Sequence, residues 1–451
     1  MRQRSYYKYL TLYFFGGIGI ALLGIAVLVG WYLQGWQPLR HRIISASMAP
    51  HFYGPHVSVI CNDCEFPFAC NMEAGACRVQ PVCPNCGYTA TSPTVTATWG
   101  DSISIVPWTM PRAEPQRWET VLYQHSANAR ELAVKRVVGL PGEQVAIHAG
   151  DLFVNGVRPE RTLNQFRDSA ILIYDGRYYP QRTDAPARWK PLQNKSHWHI
   201  TPGKLLFKPT TTSSEPTWSE LIADNGSIDW ITYKHVDSSP DAIRGESEAS
   251  IDDYLPYNQH LPARCHYVTD LMLRCYIKFS GNGWLACSLN HGDNVVLAQI
   301  SLATRKIILV TPTGPVESEI DLRHQIGDET QVTLLEMAVY DRQAVVALNG
   351  ITSHAVRLDD LTCKNPTSAQ SLRLSAHAAT IRITAFQILR DVYYLDPGGA
   401  NQPWTLPRRL GPEEYFLLGD NPSISHDSRH HFDTWPVQRK LLHGKVLKIN
   451  H

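Results

Sequence analysis

Hydrophobic residues are concentrated near the N-terminus in one uncharged run, residues 10–33, which follows Arg2, Arg4 and Lys8. A run of this length suffices to span a bilayer as a helix, and basic residues before it predict a cytoplasmic N-terminus. The sequence therefore predicts a cytoplasmic segment over 1–9 and one transmembrane anchor over 10–33. The rest of the chain would lie on the extracytoplasmic side of the plasma or inner membrane. The alternative is a cleaved signal peptide, whose apolar core is usually shorter.

Beyond this run, apolar residues fall into short stretches separated by turn residues, and helical periodicity is scarce. Strand-like stretches cover 119–123, 132–138 and 144–147, and the dipeptide Asn155-Gly156 is typical of a hairpin turn. Short alternating stretches between turns are the pattern of strands rather than helices. The sequence therefore predicts a mostly β fold.

Residues 164–395 differ in composition from the segments on either side. They are rich in Ser, Thr, Trp and Tyr, and their β-rich stretches recur at a spacing typical of a sandwich. The clearest of these stretches cover 295–300, 306–310, 331–339 and 344–348. We expect an inserted β-sandwich here, and its pattern weakly resembles strands of laminin-G or concanavalin-like lectin folds.

The charge balance limits the classes of partner. Charged residues make up 18% of the 451 residues, and the formal net charge is +1. Neutralisation of phosphates by basic side chains drives most nucleic-acid binding, so this balance argues against a nucleic-acid partner. The length allows two or three folded units.

Six of the ten cysteines lie between Cys61 and Cys86, which predicts one local site. Two C-x-x-C pairs, Cys61 with Cys64 and Cys83 with Cys86, are separated by 18 residues, the spacing of a zinc ribbon. The sequence thus predicts a zinc-ribbon-like segment over 61–87 in which four thiolates hold a structural Zn²⁺.

Disulfides are the alternative to zinc, because an extracytoplasmic compartment is oxidising and Cys70 and Cys77 add two further thiols. The predicted sandwich contains the other four cysteines, for which two disulfides or four buried thiols both fit the sequence. They are Cys265, Cys275, Cys287 and Cys363.

Three stretches, in this order along the chain, contain the candidate catalytic residues. They are residues 43–50 (IISASMAP), 133–143 (AVKRVVGLPGE) and 415–429 (YFLLGDNPSISHDSR). Together they resemble the motifs of type I signal peptidases. Residues 100–105 and 151–156 resemble less distinctive strands of the same family.

The resemblance implies a serine endopeptidase that removes signal peptides from exported proteins without an organic cofactor. It implies that Ser47 is the nucleophile, Lys135 the general base and Ser425 the residue that orients the lysine amine. Ser45 would complete an oxyanion hole with the backbone N–H of Ser47. The implied substrates are preproteins with small residues before the cleavage site, which reach the enzyme at the lipid bilayer.

The resemblance also divides the chain into domains. It implies a signal-peptidase-type antiparallel β catalytic domain whose first part is 34–163 and whose C-terminal part is 396–451. The segment over 61–87 would interrupt the first part. The sandwich over 164–395 would be inserted between the two parts.

The insertion has two interpretations. It binds a carbohydrate or protein ligand, or it is a β-module tolerated in a surface loop. Trp284 and Tyr340 are candidates for stacking on a sugar, although aromatic residues in sandwiches more often lie in the core. The sequence therefore leaves the role of the insertion open.

The proposed chemistry requires a neutral lysine. A serine hydroxyl becomes a good nucleophile when a base takes its proton, whereas an ordinary lysine has a pKa of about 10.4. Burial lowers this pKa, and Val134, Val137 and Val138 flank Lys135. Arg136 would point to the opposite face of the strand and contribute to structure or solvation.

The third motif also carries groups that support the site. Asp427 and Arg429 are two residues apart, so in an extended segment they share a face and can pair. Asp420 and Asn421 lie in the same motif. We assign these four residues a structural role near the site.

Two residues depart from the family pattern beside the implied catalytic residues. Ala46 stands where glycine is usual, which would cost about 1 kcal/mol if the position needs a left-handed backbone. Pro422 stands where a basic residue is common. Both departures leave a lowered activity open.

Two other hypotheses use the same chain differently. In a Ser-His-Asp triad, Ser47 would pair with a histidine such as His426, but no G-x-S-x-G motif surrounds Ser47. In the second, the chain is a membrane-anchored extracellular binding protein with a degenerate peptidase core. The intact Ser47, Lys135 and Ser425 argue against this second hypothesis.

Overall fold

The structure is a computed structural model that describes much of the chain beyond residue 38. The described residues are 24, 39–71, 80–90, 94–108, 114–124, 132–209, 216–223, 226, 228–238, 249–259, 261, 265–291, 294–311, 313–318, 331–358, 372–430 and 436–449. The predicted anchor over 10–33, apart from residue 24, lies outside them, as do Cys77 and Cys363. Within these ranges, no helix is long and apolar enough to cross a membrane.

The described chain is mostly β, which confirms the predicted fold class at this level. The first strands are β1 Leu39–Arg42, β2 His56–Ile60, β3 Pro67–Asn71, β4 Thr94–Thr98, β5 Ser102–Pro107, β6 Thr120–Gln124, β7 Leu132–Gly139, β8 Val145–His148, β9 Asp151–Val154, β10 Ile171–Asp175, β11 Trp189–Pro191, β12 Trp198–Thr201, β13 Lys204–Phe207 and β14 Ile231–Tyr233. The later strands are β15 Leu271–His291, β16 Asn294–Ser301, β17 Lys306–Thr311, β18 Gly314–Glu317, β19 Thr333–Tyr340, β20 Gln343–Leu348, β21 Ile351–Arg357, β22 Leu372–Arg390, β23 Trp404–Thr405, β24 Glu414–Leu418, β25 Val437–Gln438 and β26 Leu442–Lys448. The helices are α1 Leu163–Arg167, α2 Trp218–Ala223 and the 3-10 helices Pro256–Asn258 and Arg439–Leu441.

A seven-stranded antiparallel sheet joins the two ends of the described chain. Its order is β1-β5-β26-β6-β7-β24-β25, so late strands lie between early ones. Alternate residues of β7 pack into different apolar clusters, Val134 with Met48 and Val137 with Leu417. Both faces of the sheet are therefore covered, and every residue of β7 from Val134 onward is buried.

Two three-stranded sheets are built from strands that lie, in the sequence, between strands of the seven-stranded sheet. The order of the first is β3-β2-β4, and that of the second is β23-β8-β9. The short helix α1 follows β9 and begins with a capping box, in which the side chains of Thr162 and Gln165 bond each other's backbone N–H groups.

A thirteen-stranded sheet, here called the large sheet, contains every described strand from β10 to β22. Its two long strands, β15 and β22, pair along most of their length and carry a bulge between Gly281 and Trp284. A Cβ at Gly283 would lie 1.7 Å from the His377 carbonyl oxygen, so only glycine allows this approach of the two strands. The first half of β15 pairs with β19 and the second half with β16. One continuous sheet thus encloses the largest apolar core, while its lectin-like character stays a prediction.

Buried ion pairs connect the start of α1 to the large sheet. Arg158 pairs with Asp270, and Arg161 donates to Asp341 at 2.7 Å and to Asp391. The three carboxylates lie close together, and each of them already pairs with at least one of the two guanidinium groups. The sequence contains no motif that predicts this network.

Candidate active site

Ser47 lies in the turn that follows β1. The Ala49 N–H donates to the Ala46 carbonyl at 3.1 Å, and the buried Met48 side chain anchors the turn in an apolar cluster. Ser47 is only 7% exposed, and its Oγ lies 3.2 Å from the Ser45 Oγ. The two hydroxyls predicted to act together are therefore neighbours.

The two departures from the family pattern fit the local backbone. Ala46 is not among the described residues with a positive φ, so the alanine incurs none of the expected left-handed strain. Pro422 follows Asn421 in a turn closed by the Ile424 N–H and the Asn421 carbonyl at 3.3 Å. Proline suits the second position of such a turn because its φ is already fixed.

Lys135 lies in the middle of β7, opposite Val121 of β6, and its side chain is 3% exposed. Burial lowers its pKa to about 8, because a charged ammonium loses its hydration there. The nearby Asp427 carboxylate opposes part of this shift. A substantial fraction of the amine is thus neutral near pH 8.

Residues 419–429, here called the site loop, follow β24 and are held by an internal ion pair. Arg429 Nε donates to Asp427 Oδ1 at 2.8 Å, and the Gly419 N–H donates to Asp427 Oδ2 at 3.0 Å. Arg429 also donates to the carbonyl of Leu395 at 3.0 Å. Burial alone would raise the pKa of Asp427, but the Arg429 charge lowers it below its usual value. The pair remains ionised at neutral pH.

The site loop binds the backbone around Ser47. The Asn421 N–H donates to the Ser47 carbonyl at 3.1 Å, and Asn421 Nδ2 donates to the Ala46 carbonyl at 3.2 Å. The same loop carries Asp427, whose charge acts on Lys135. Within the described residues, no hydrogen bond joins the Ser47 hydroxyl to the Lys135 amine.

Ser425 lies at the crowded centre of the site loop. A Cβ at Gly419 would lie 2.1 Å from Ser425 Oγ and 2.4 Å from the Ser47 carbonyl oxygen, so both groups touch the same glycine. The buried Ser425 Oγ has no hydrogen-bond partner among the described residues. A buried hydroxyl usually has a hydrogen-bond partner, so Ser425 Oγ has capacity for a further hydrogen bond.

A second buried ion pair lies beside the lysine. The sequence indicated structural roles for its two residues, but it did not predict that they pair. Arg136 Nε donates to Asp420 Oδ1 at 2.8 Å, and His51 Nδ1 lies 2.9 Å from Asp420 Oδ2. Burial would raise the pKa of Asp420, but the Arg136 charge holds it well below its usual value. Arg136 is therefore a buried structural residue, and only its position beside Lys135 pointed to it.

The histidines do not form the alternative triad in the described structure. The His426 ring stacks on His430 with the ring centres 4.8 Å apart. The Ser47 hydroxyl pairs with Ser45, and no histidine in the described part of the chain is hydrogen-bonded to it.

The four predicted metal ligands meet in one buried cluster. Cys61 Sγ lies 3.6 Å from Cys86 Sγ, and Cys64 Sγ lies 3.7 Å from Cys83 Sγ. All four sulfurs lie within 4.8 Å of one another, and none is in a disulfide. Zinc–thiolate bonds of about 2.3 Å in a tetrahedron require sulfur separations of this size.

Backbone turns shape each half of this cluster. The Cys61 N–H donates to the Phe66 carbonyl at 3.0 Å, and the Cys83 N–H donates to the Tyr88 carbonyl at 2.9 Å. Gly87 at the second turn has a φ of +71°, which glycine adopts without strain. Two similar turns thus present the four thiols inward.

The aromatic residues considered for sugar stacking lie in the core. Trp284 and Tyr340 are buried, and the Tyr340 ring stacks on Phe166 with the ring centres 4.2 Å apart. Trp284 and Tyr340 therefore offer no sugar-binding surface.

Three of the four cysteines of the predicted sandwich are described in the structure. Cys275 and Cys287 are buried thiols, whereas Cys265 is an exposed thiol.

A cavity of about 510 Å³ lies between the site loop and residues 253–255, 258, 261 and 265 of the predicted insertion. Ser425 and His426 line it on one side, and Asp253 and Asn258 line it on the other. Residues of the predicted insertion therefore share this cavity with Ser425 of the candidate site.

Comparison with solved structures finds distant likenesses. A carbohydrate binding module, CBM66 from Bacillus subtilis, is 11% identical, with 46% of this chain and 92% of the module covered and a TM-score of 0.23. Sheep galectin-11 in complex with glycerol is 12% identical over 27% of this chain and 89% of its own, with a TM-score of 0.20. The Crh5 transglycosylase in complex with NAG is 8% identical over 57% and 88%, with a TM-score of 0.27. Likenesses with such scores carry no argument about function.

Comparison with sequences gives one informative match. No curated protein matches the chain. The family described as signal peptidase, peptidase S26, matches residues 81–209. The matched part contains Lys135 but neither Ser47 nor Ser425, and it continues past residue 164, the predicted start of the insertion. The family match supports a signal-peptidase-like serine peptidase in this chain.

Proposed function

We propose that the chain is a membrane-bound endopeptidase that removes signal peptides from exported proteins with a Ser-Lys dyad. The observation that carries the proposal is the buried Lys135, whose pKa is about 8, beside a site loop that also binds the Ser47 backbone. A desolvated, partly neutral lysine is what amine-base activation of a serine requires.

In the proposed mechanism, the neutral Lys135 amine takes the proton of the Ser47 hydroxyl as Oγ attacks the scissile carbonyl carbon. The Ser47 N–H and the Ser45 hydroxyl stabilise the oxyanion. The lysine then protonates the leaving amine, which leaves an acyl-enzyme on Ser47. A water molecule, deprotonated by the lysine, releases the signal peptide. Catalytic hydrogen bonds often tighten only when substrate binds, which would bring Ser47 and Lys135 together.

Ser425 is proposed to orient the lysine amine. Its buried hydroxyl touches Gly419 beside the Ser47 carbonyl and has no other partner in the described structure. A hydrogen bond to the amine would satisfy it. Asp420, Asn421, Asp427 and Arg429 would hold the surrounding loop.

The proposed substrates are preproteins with small residues before the cut. The apolar run over 10–33 would hold the enzyme in the bilayer, with its site on the extracytoplasmic side. A signal peptide carries small residues directly after its apolar core, so its cleavage site emerges at the same surface.

We also propose that Cys61, Cys64, Cys83 and Cys86 hold a structural Zn²⁺. Four convergent buried thiols in two similar turns support this, and the closed ligand set leaves no position for substrate. Metal analysis of the purified protein should find about one Zn²⁺ per chain, and Cys61→Ser should lose it. A metal-free wild type with a Cys61–Cys86 disulfide would contradict this.

The test of the function is cleavage of a preprotein with an A-x-A site by the solubilised full-length protein. We expect wild type to cut after the second alanine, and Ser47→Ala and Lys135→Ala to be inactive. Ser219→Ala and Lys440→Ala are matched controls, since both residues are exposed, and they should cut normally. A wild type that is inert in both detergent and lipid, or an active Lys135→Ala, would reject the mechanism.

A further inference from the structure

Two buried asparagines form a reciprocal amide pair between the insertion and the site loop. Asn258 Nδ2 donates to Asn421 Oδ1 at 2.8 Å, and Asn421 Nδ2 donates to Asn258 Oδ1 at 3.0 Å. Asn258 is 5% exposed and Asn421 is 1% exposed. Each side chain supplies both a donor and an acceptor, so neither an apolar side chain nor an ionised carboxylate of similar size satisfies both bonds.

The pair determines how Asn421 holds the Ser47 turn. With one amide hydrogen and its oxygen committed to Asn258, Asn421 Nδ2 donates its other hydrogen to the Ala46 carbonyl at 3.2 Å. Its backbone N–H donates to the Ser47 carbonyl at 3.1 Å. Asn421 therefore holds the peptide groups on both sides of the Ser47 Cα, and its side-chain amide acts on the peptide that carries the Ser47 N–H.

Asn258 is itself held rigidly on a part of the chain far from the motifs. It ends the 3-10 helix Pro256–Asn258, and the ring of the preceding Tyr257 lies 5.3 Å from that of Tyr53. The next residue, Gln259, exchanges two hydrogen bonds with the backbone of Val82, at 2.8 and 2.9 Å. Contacts of its two neighbours with Tyr53 and with Val82 thus hold Asn258 in place.

We propose that Asn258 is a positioning residue of the active site, supplied by the insertion and acting on Ser47 through Asn421. Through this residue the insertion becomes a part of the catalytic apparatus. The inference rests on the proposed peptidase function, because it assigns Asn258 a role in aligning the nucleophile and its oxyanion-binding N–H. A misalignment of about 1 Å at such a site can cost about a hundredfold in rate.

The test compares Asn258→Asp and Asn258→Ala with wild type in preprotein cleavage by the full-length protein. We expect kcat to fall about 10- to 100-fold for both, with KM changed less than about threefold, because binding of the substrate is spared. Asn194→Asp is a matched control, an exposed asparagine elsewhere in the insertion, and should keep the wild-type kcat. The thermal midpoint of every variant is measured in parallel.

The pH dependence separates positioning from a merely structural loss. In Asn258→Asp, a carboxylate faces the Asn421 oxygen, whereas a protonated carboxyl donates to that oxygen as the asparagine does. The activity ratio of Asn258→Asp to wild type should therefore rise as the pH falls, while that of Asn258→Ala stays constant.

Three results would overturn the inference. They are a kcat within about twofold of wild type for both variants, a loss of activity that only follows a loss of folded protein, and a pH-independent ratio for Asn258→Asp. An inert wild type would reject the proposed function, and the inference would be rejected with it. An active wild type with unaffected Asn258 variants would reject the inference alone.

Discussion

The apolar core of the large sheet and the surroundings of Ser47 bury different kinds of side chain. The core of the large sheet, here called the apolar region, is a cluster of apolar residues drawn from β10 to β22, and charges buried beside this sheet, such as that of Arg161, form ion pairs. The strands and loop around Ser47, here called the charged region, bury Lys135 together with Arg136, Asp420 and Asp427. Lys135 forms no ion pair with a described residue, and an unpaired buried charge costs free energy, so this lysine indicates a chemical role rather than a contribution to stability.

This difference predicts which substitutions should lower stability and which should lower activity. In the apolar region, a truncation should lower stability and leave the chemistry of the folded enzyme unchanged. In the charged region, removal of the lysine should abolish the chemistry and leave stability unchanged or raised. The segment between β14 and β15 of the large sheet contacts the charged region through the Asn258–Asn421 pair.

Lys135→Met tests the charged region most severely. We expect kcat/KM to fall at least about a thousandfold, because the only proposed base is lost. The free energy of unfolding should stay the same or rise, since a desolvated amine is replaced by an apolar chain of similar length. Cleavage assays and urea unfolding measure the two effects. Lys440→Met is the control. A large decrease in the free energy of unfolding of Lys135→Met would contradict the expected separation of stability from activity.

Arg161→Met tests the buried network that joins α1 to the large sheet. Removing one partner leaves Asp341 and Asp391 buried with less compensation, which should cost about 3–5 kcal/mol of unfolding free energy. The matched control is Arg357→Met, because Arg357 forms an exposed pair with Glu160 that should contribute less than about 1 kcal/mol. Equal effects of the two variants in urea unfolding would contradict the assigned burial.

Leu273→Ala tests the apolar core of the large sheet. Leu273 is fully buried in β15, so the substitution should cost about 2–5 kcal/mol of unfolding free energy. The kcat of the folded fraction should remain within about twofold of wild type. Leu192→Ala is the control, because Leu192 is 39% exposed. A large drop in kcat at full folding would show that the two regions are coupled more widely than through Asn258.

Ser425→Ala should give the smallest effect. It removes a buried hydroxyl without a partner among the described residues, so the unfolding free energy should not fall. If the hydroxyl orients the Lys135 amine, kcat should fall about tenfold. Ser425→Thr keeps a hydroxyl and should retain more activity than Ser425→Ala. Equal activity of wild type and Ser425→Ala would remove Ser425 from the mechanism.

The strands could be predicted from the sequence because their patterns are local. The predicted stretch 132–138 is β7 Leu132–Gly139, and 306–310 is β17 Lys306–Thr311. The alternation of apolar residues and the turn residues at the ends specify such strands without knowledge of their partners. The Cys-x-x-Cys pairs were predictable for the same reason.

The supporting contacts could not be predicted, because they join single residues that are distant in the chain. Asn258 and Asn421 are 163 residues apart, and neither lies in a periodic pattern that names the other. The backbone conformation of Ala46 could not be predicted either, because the φ of a turn depends on the contacts of its neighbours. The sequence was enough to identify the candidate catalytic residues, whereas the residues that position them are determined by the fold.

The pH dependence of kcat/KM tests the central claim, that Lys135 acts as a neutral base. Burial lowers the pKa of Lys135 to about 8, so the active, deprotonated form should increase as the pH rises. Cleavage of a preprotein between about pH 6 and about pH 10.5 should show kcat/KM rising about tenfold per pH unit and levelling off above about pH 8. A profile that does not change with pH, or one that rises only near the ordinary lysine pKa of about 10.4, would contradict the account.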